Sequence, residues 1–359
     1  MSLSCRDLLG DPQLAHSEIT VAVPTFTGGA KLQRCLESLR AQTYRPLRVV
    51  VVEDGRPGVS QSANPDGWAE VITLPTNQGY GAALNTALHQ SSSEFFACLN
   101  DDVVVDPNCL EEMVRVMRKS EDIGTCAPRI LLTQERGIDS AGMGIAADGT
   151  FVQQGHSEAP QAMPKPTDVL CASGCAALFR RAALEEAGPW DESLFMYCED
   201  ADLGLRLARL CWRCRYVPSA FVYHEYSATT GAASARKLYL VERNRMLITW
   251  KNLPLRRVLV SSFAAIIRYC LHAKAFAAGR GLEGYARKSE GVTPGNLVLS
   301  LARAHADALR RIPAIWPERK RLQRSARLRD RQFLRFLGAH SIPLSRVAGR
   351  GVAGHVERG

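Results

Sequence analysis

Short apolar runs alternate along the first half of the chain with stretches in which apolar residues recur every third or fourth position. Residues 19–23, 47–52, 71–74 and 95–99 are runs of the first kind, the pattern of strands covered on both faces. Leu32, Leu36 and Leu39, then Ala83, Leu84, Ala87 and Leu88, carry the helical spacing between them. A helix from Pro107 to about residue 120, strands at 123–127 and 176–179, and a short helix at 181–187 closed by Gly188-Pro189 continue the alternation. It predicts an α/β fold, a Rossmann-like mixed and mainly parallel sheet flanked by helices. Residues 131–167, rich in Gly, Gln, Pro and Ala, read as an irregular excursion holding a hairpin, with return to the core near Val169. Glu199 opens a helix reaching about Leu210, and Tyr216-Val217-Pro218 is strand-like. From Lys237 the pattern changes to long, arginine-rich amphipathic helices. The organisation expected is a lead over 1–18, a catalytic domain over 19–233 and a helical, basic extension over 234–359, with the boundary near 231–234.

Charge sharpens this picture in one place. The net +9 belongs to the tail, where Arg319, Lys320, Arg321, Arg324, Arg327, Arg329, Arg331 and Arg335 cluster. Leu322, Leu328, Phe333, Leu334 and Leu337 interleave with them, which describes an amphipathic helix that packs on the protein or lies on an anionic membrane. No helix-turn-helix, finger or stacking platform accompanies the charge, so nucleic acid is not an expected partner. The stretch 258–279 is interrupted by Arg268, His272 and Lys274 and falls short of a membrane span. The beginning of the chain lacks the features of a secretory signal, and the eleven cysteines are scattered through core segments. A cytoplasmic protein is expected, with peripheral contact at the inner face of the plasma membrane as the role of the basic helices.

Chemistry concentrates where apolar runs stop. Asn100-Asp101-Asp102 follows the run 95–99, and carboxylates at a strand end face the ligand crevice of an open α/β sheet. Such oxygens suit Mg²⁺ or Mn²⁺ together with substrate phosphates, one carboxylate holding the ion while its neighbour meets a ribose hydroxyl. An Asx turn leading to a helix cap at Asp106 is the alternative. Glu199, Asp200 and Asp202 sit in a first helical turn, where the macrodipole favours them, and Asp202 with Arg206 has ion-pair spacing. The approach to them, residues 190–197, is too aromatic for an ordinary exposed loop, and a carboxylate against such a wall has the raised pKa of a general base. His224 is a candidate additional metal ligand. Gly79-Tyr80-Gly81 lacks the third glycine of a dinucleotide fingerprint, and Cys211 and Cys214, even joined by Cys171 and Cys175, lack the context of a redox or zinc knuckle.

Taken in order, Val21-Ala22-Val23-Pro24-Thr25-Phe26, Val50-Val51-Val52-Glu53-Asp54-Gly55, Asn77-Gln78-Gly79-Tyr80-Gly81, Leu99-Asn100-Asp101-Asp102, Ser173-Gly174-Cys175-Ala176-Ala177, Glu199-Asp200-Ala201-Asp202-Leu203, His224 and Arg243-Asn244 resemble the family 2 glycosyltransferases of GT-A fold. The likeness is to the bacterial rhamnosyltransferase and galactofuranosyltransferase-like branch. It implies nucleotide binding over 19–106 and acceptor binding over 107–233. Pro24, Thr25 and Glu53 or Asp54 would hold the donor base, with Asn77, Gly79, Asn100, Asp101 and Arg206 completing the nucleotide site. Asp102 and His224 would hold Mg²⁺ or Mn²⁺, Gly174, Trp190 and Glu199 would meet the acceptor, and Asp200 would be the catalytic base. The turn Glu53-Asp54-Gly55-Arg56 departs from the family's aspartate-asparagine-glycine-serine, which leaves the base-reading residue open. The activity implied is inverting transfer of rhamnose or another hexose from a nucleotide-diphosphate donor to the hydroxyl of a saccharide or lipid-linked acceptor. A nucleotidyltransferase would need a lysine-rich phosphate loop, and only Lys31 follows Thr25-Phe26-Thr27-Gly28-Gly29. A basic binding module would leave the strand-end acids without a purpose.

Overall fold

The computed structural model describes residues 18–133, 137–225, 235–277 and 294–348. The chain begins as the alternating pattern predicts, with β1 (Ile19–Thr25), α1 (Gly29–Arg40), β2 (Leu47–Asp54), β3 (Glu70–Leu74), α2 (Tyr80–His89) and β4 (Phe95–Leu99). There follow β5 (Val103–Val105), α3 (Cys109–Met117), β6 (Ile123–Leu132), β7 (Ile138–Ser140), the hairpin of β8 (Met143–Ala146) and β9 (Phe151–Gln153), and β10 (Asp168–Val169). The sheet-bearing part closes with β11 (Ala176–Arg180), α4 (Arg181–Ala187), α5 (Glu199–Arg209) and β12 (Arg213–His224).

One 10-stranded sheet runs in the order β10-β12-β6-β11-β4-β1-β2-β3, with β5 added on β12 and β7 on β6. β1 is parallel to β2 and β4, β2 is parallel to β3, and β11 is inserted antiparallel between β4 and β6. The central strands read as unbroken apolar runs because both faces are covered. On one face Leu32, Leu36 and Leu39 of α1 and Leu110 and Met113 of α3 pack on Val21, Val23 and Phe95. On the other, Leu84, Leu184, Leu203 and Leu207 pack on Val50, Val52 and Phe96.

The extension consists of α6 (Ala235–Asn252), α7 (Leu255–Ala277), α8 (Pro294–Ser325), α9 (Asp330–Ala339), β13 (Ser341–Ile342) and α10 (Leu344–Ala348). Of the two readings of the basic tail, packing on the protein is what the fold adopts for its apolar stripe: Phe333 and Leu337 are buried against Leu205, Ala208 and Val258, with Leu328 and Leu334 partly buried beside them. Several of its cations are tied to the protein, one of them internally. Arg319 is buried and donates to the Trp250 and Leu253 carbonyls, Arg327 donates to the Leu210 carbonyl and pairs with Glu186, and Arg321 pairs with Glu318. The boundary expected near 231–234 and all but the last residue of the lead over 1–18 lie outside the described residues.

Candidate active site

The first strand ends converge on a cleft of about 560 Å³ lined by Pro24, Thr25, Asp54, Asn100, Asp101, Asp102, Gly174, Glu199, Asp200 and His224. Short β5 does the decisive work on one side. It pairs antiparallel with β12 so that Val103 faces His224, which sets the preceding Asp102 beside the imidazole. The Nε2 of His224 lies 3.4 Å from Oδ1 of Asp102. That spacing is close to the roughly 3 Å separating adjacent ligand atoms of an ion bound at about 2.1 Å. The donor set, an imidazole nitrogen with a carboxylate oxygen, therefore fits a divalent cation that takes its remaining ligands from phosphate and water.

Asp139, on β7, holds the other ring nitrogen: its Oδ2 is 2.8 Å from Nδ1 of His224. An anchoring carboxylate of this kind fixes the tautomer and turns Nε2 toward the ion. His156 also faces Asp139, with Nδ1 3.0 Å from its backbone carbonyl oxygen. Burial would raise the Asp139 pKa, but the two histidines hold it well below the carboxylate range. Burial would likewise lower that of His224, and Cys175, Asp102 and Asp139 together reverse the direction. Nothing in the sequence marked Asp139, which lies in the excursion 131–167 and reaches the site only because β7 pairs with β6. The sulfur of Cys175 joins Asp139 and His224 within 4.8 Å, whereas Cys171, Cys211 and Cys214 enter no such group among the described residues.

The opposite wall is the N-terminus of α5. Asp200 accepts hydrogen bonds from the Gly174 N–H at 2.8 Å and the Ala201 N–H at 2.7 Å. Burial pushes its pKa up and these two donors oppose the rise. Burial, then the adjacent Asp200, push its neighbour Glu199 up to about 8 against its own backbone N–H, and the Glu199 Oε2 lacks a hydrogen-bond partner among the described residues. Gly174 connects the two walls, because its carbonyl accepts from the Tyr80 hydroxyl at 2.6 Å and the next carbonyl, of Cys175, accepts from the Asn100 N–H at 2.9 Å. Thr25 donates to Asp101 at 2.6 Å, and burial pushes the Asp101 carboxyl up to about 6 against that hydrogen bond, with Asp102 adding to the rise.

Ahead of α5 the chain passes through positive φ at Phe195, Tyr197 and Cys198, an uncommon conformation for residues with side chains. Arg243 and Asn244 of α6 hold it there. Arg243 donates to the Leu194 carbonyl, and the Asn244 amide donates to the carbonyls of Leu194, Met196 and Tyr197 at 3.0, 2.8 and 2.7 Å. The motif Arg243-Asn244 thus acts on Asp200 through the loop that delivers it. Gly79 is needed at the same place, because a Cβ there would lie 2.1 Å from the Phe195 carbonyl oxygen.

Five expected site residues do not line the cleft. Arg206 is buried, pairs with Asp202 at 3.0 Å and donates to the carbonyls of Ala187, Gly188 and Pro189, so its guanidinium is consumed by the end of α4. Trp190 is 3% exposed and packs edge-on against Phe179 at 5.5 Å, a core side chain rather than an acceptor platform. Glu53 is occupied by Ser60, Gly58 and Thr73, bracing the loop after β2. Gly79 is buried beneath Phe195, and Asn77 is exposed beyond the rim. Of the pair left open by the sequence, Asp54 is the one in the cleft, while its oxygens also cap α2 through the N–H groups of Gln78 and Gly79.

Residues 20–188 match the family described as Glycosyl transferase family 2. Over 278 residues the chain is 28% identical to an N-acetylglucosaminyl-diphospho-decaprenol L-rhamnosyltransferase of Mycobacterium tuberculosis, covering 68% of this chain and 90% of the relative. It is 30% identical over 228 residues to a pre-mycofactocin glycosyltransferase of the same species, covering 63% of this chain but only 46% of that relative. Among solved structures it is similar in fold to S. aureus TarS 1-349 in complex with UDP-GlcNAc, with a TM-score of 0.53, 17% identity and 90% coverage of each chain. It is also similar to GalNAc-T7 with UDP, GalNAc and Mn²⁺, with a TM-score of 0.54, 15% identity and coverage of 66% of this chain and 48% of the other.

Proposed function

We propose, for a chain that is a glycosyltransferase of family 2, that it moves rhamnose or a related hexose from a nucleotide-diphosphate donor to a hydroxyl of a lipid-linked saccharide, with inversion at the anomeric carbon. The observation that carries this reading is the convergence of Asp102, His224 and Asp200 on one cleft. Asp54, Thr25 and Asp101 supply the oxygen-rich end where a nucleoside would lie. A Mg²⁺ or Mn²⁺ ion held by Asp102 and His224, with Asp139 behind the imidazole, would screen the charge that builds on the leaving diphosphate.

Asp200 takes the acceptor proton. The freed oxygen forms its bond to the anomeric carbon as the bond from that carbon to the diphosphate oxygen breaks, and the face of attack opposite the leaving group gives inversion. The Gly174 and Ala201 N–H groups favour the charged form of Asp200, whereas Glu199, whose Oε2 lacks a hydrogen-bond partner among the described residues, carries the proton the pair retains near neutral pH. The strained loop clamped by Asn244 holds that geometry between turnovers. A lipid-linked acceptor is supported by the likeness to the decaprenol-dependent rhamnosyltransferase along 90% of its length.

The test is a panel of nucleotide sugars scored for thermal stabilisation with and without Mn²⁺. A preferred donor at a hundred times its Kd stabilises the native state by about 2.7 kcal/mol. A shift for one donor, enlarged by Mn²⁺, is expected; no shift for any donor contradicts the reading.

A further inference from the structure

α7 has two unlike faces. Val258, Ser261, Ala264, Ala265 and Arg268 are buried, and Arg268 and His272 line the far end of the cleft. On the other side Leu255, Leu259, Val260, Phe263, Ile266 and Ile267 are exposed, Phe263 by 72% and Leu259 by 64%. At 3.6 residues per turn these six fall within an arc of roughly 140°, so they form one stripe rather than scattered exposures. Contiguous apolar surface of this kind marks a site of association.

Charge selects the occupant. α7 carries no Asp or Glu along its length, while Arg256 and Lys274 are exposed near its two ends. A symmetric dimer through this stripe would set the same cation-flanked helix against itself, with no acidic residue on either copy's α7 to pair with. An anionic bilayer supplies both an apolar phase and negative headgroups. No helix among the described residues is long and apolar enough to cross a membrane, so the fit is for a helix lying in the interface.

We propose that α7 docks this protein on an anionic lipid bilayer, with Leu255, Leu259, Phe263, Ile266 and Ile267 seated among the upper acyl chains. The membrane-facing element is then α7, and not the basic tail, whose apolar residues are already covered. Because the reverse face of the same helix lines the cleft, docking brings the far end of the cleft to the membrane plane. That orientation serves the lipid-linked acceptor proposed above and rests on that reading, whereas attachment to lipid needs no sugar nucleotide and stands or falls separately.

The experiment is flotation of the full chain with phosphatidylcholine vesicles, with and without phosphatidylglycerol, in the absence of any donor. The wild type should float with the phosphatidylglycerol vesicles and less well as salt is raised. Phe263→Glu combined with Ile266→Glu, and separately the milder pair Phe263→Gln and Leu259→Gln, should reduce the bound fraction about tenfold or more, with far-ultraviolet circular dichroism unchanged because these side chains are exposed. Retained binding in both variants, equal binding to neutral vesicles, or no vesicle binding by the wild type would each overturn the proposal. A concentration-dependent dimer abolished by the same substitutions would overturn it in favour of a second copy as the occupant.

Discussion

The two carboxylate clusters along α5 are handled in opposite ways. Asp202 is fully buried yet meets Arg206 at 3.0 Å, Lys251 at 2.8 Å and the Asn252 amide at 2.8 Å, and although burial would raise its pKa, these partners pull it down. Three and two residues earlier in the same turn, Glu199 and Asp200 form no ion pair among the described residues, and burial raises both. A buried acid surrounded by cations is a fixed charge and a structural brace. Neighbouring buried acids without a cation are a place where a proton changes hands. The cleft opens at the second cluster and not at the first.

Substitutions should therefore divide between lost activity and lost stability. Asp200→Asn removes the base and is expected to lower kcat by about 10²- to 10⁴-fold while sparing donor affinity; full activity would erase the distinction between the clusters. Arg206→Ala leaves Asp202 with less compensation and should cost about 3–5 kcal/mol in denaturant unfolding, with the KM for donor in the surviving folded fraction unchanged. Asn244→Ala frees the positive-φ loop before α5, and a fall in kcat about tenfold with little change in donor KM would place its effect on Asp200 and not on the nucleotide. Asp139→Asn should weaken Mn²⁺ affinity by about 10- to 100-fold, measured by metal titration of donor binding.

The smallest effect is a pH signature. Glu199 has a folded pKa of about 8, above its unfolded value, so the native state binds more protons than the unfolded chain between roughly pH 4.5 and 8. Its contribution to stability is fully present below the lower of these values and is lost as pH rises through the upper one. Glu199→Gln should flatten that decline, by on the order of 1–2 kcal/mol at pH 9 once coupling to Asp200 is allowed for. The corresponding Asp202→Asn substitution should destabilise instead, since there the charge is paired.

This contrast was only partly legible in the chain. The strand ends were, because an apolar run that stops abruptly at Asn100-Asp101-Asp102 puts polar residues at the rim of the sheet, although the run alone left a metal-holding acid and an Asx turn as alternatives. Asp200 and the Asp202–Arg206 pair were also visible, since first-turn acids and four-residue spacing are local properties. Trp190 and Arg206 misled for a common reason: sequence gives the residue but not which side of its element it faces, and both turn inward to Phe179 and to the end of α4. Asp139 was invisible because three-residue β7 is too short to show an alternating pattern, and its role depends on a contact with His224, 85 residues away, that the local sequence does not encode. The tail's net charge overstated its solvated cations, since buried arginines such as Arg319 read in sequence like solvated ones.

The most direct test of the shared cleft is anomalous diffraction from crystals soaked with Mn²⁺ and a nucleoside diphosphate. The account predicts a manganese peak between Asp102 and His224, with the diphosphate on the side facing Asp200. Manganese bound away from both residues, or a nucleotide lodged in a groove that Asp200 does not face, would contradict it.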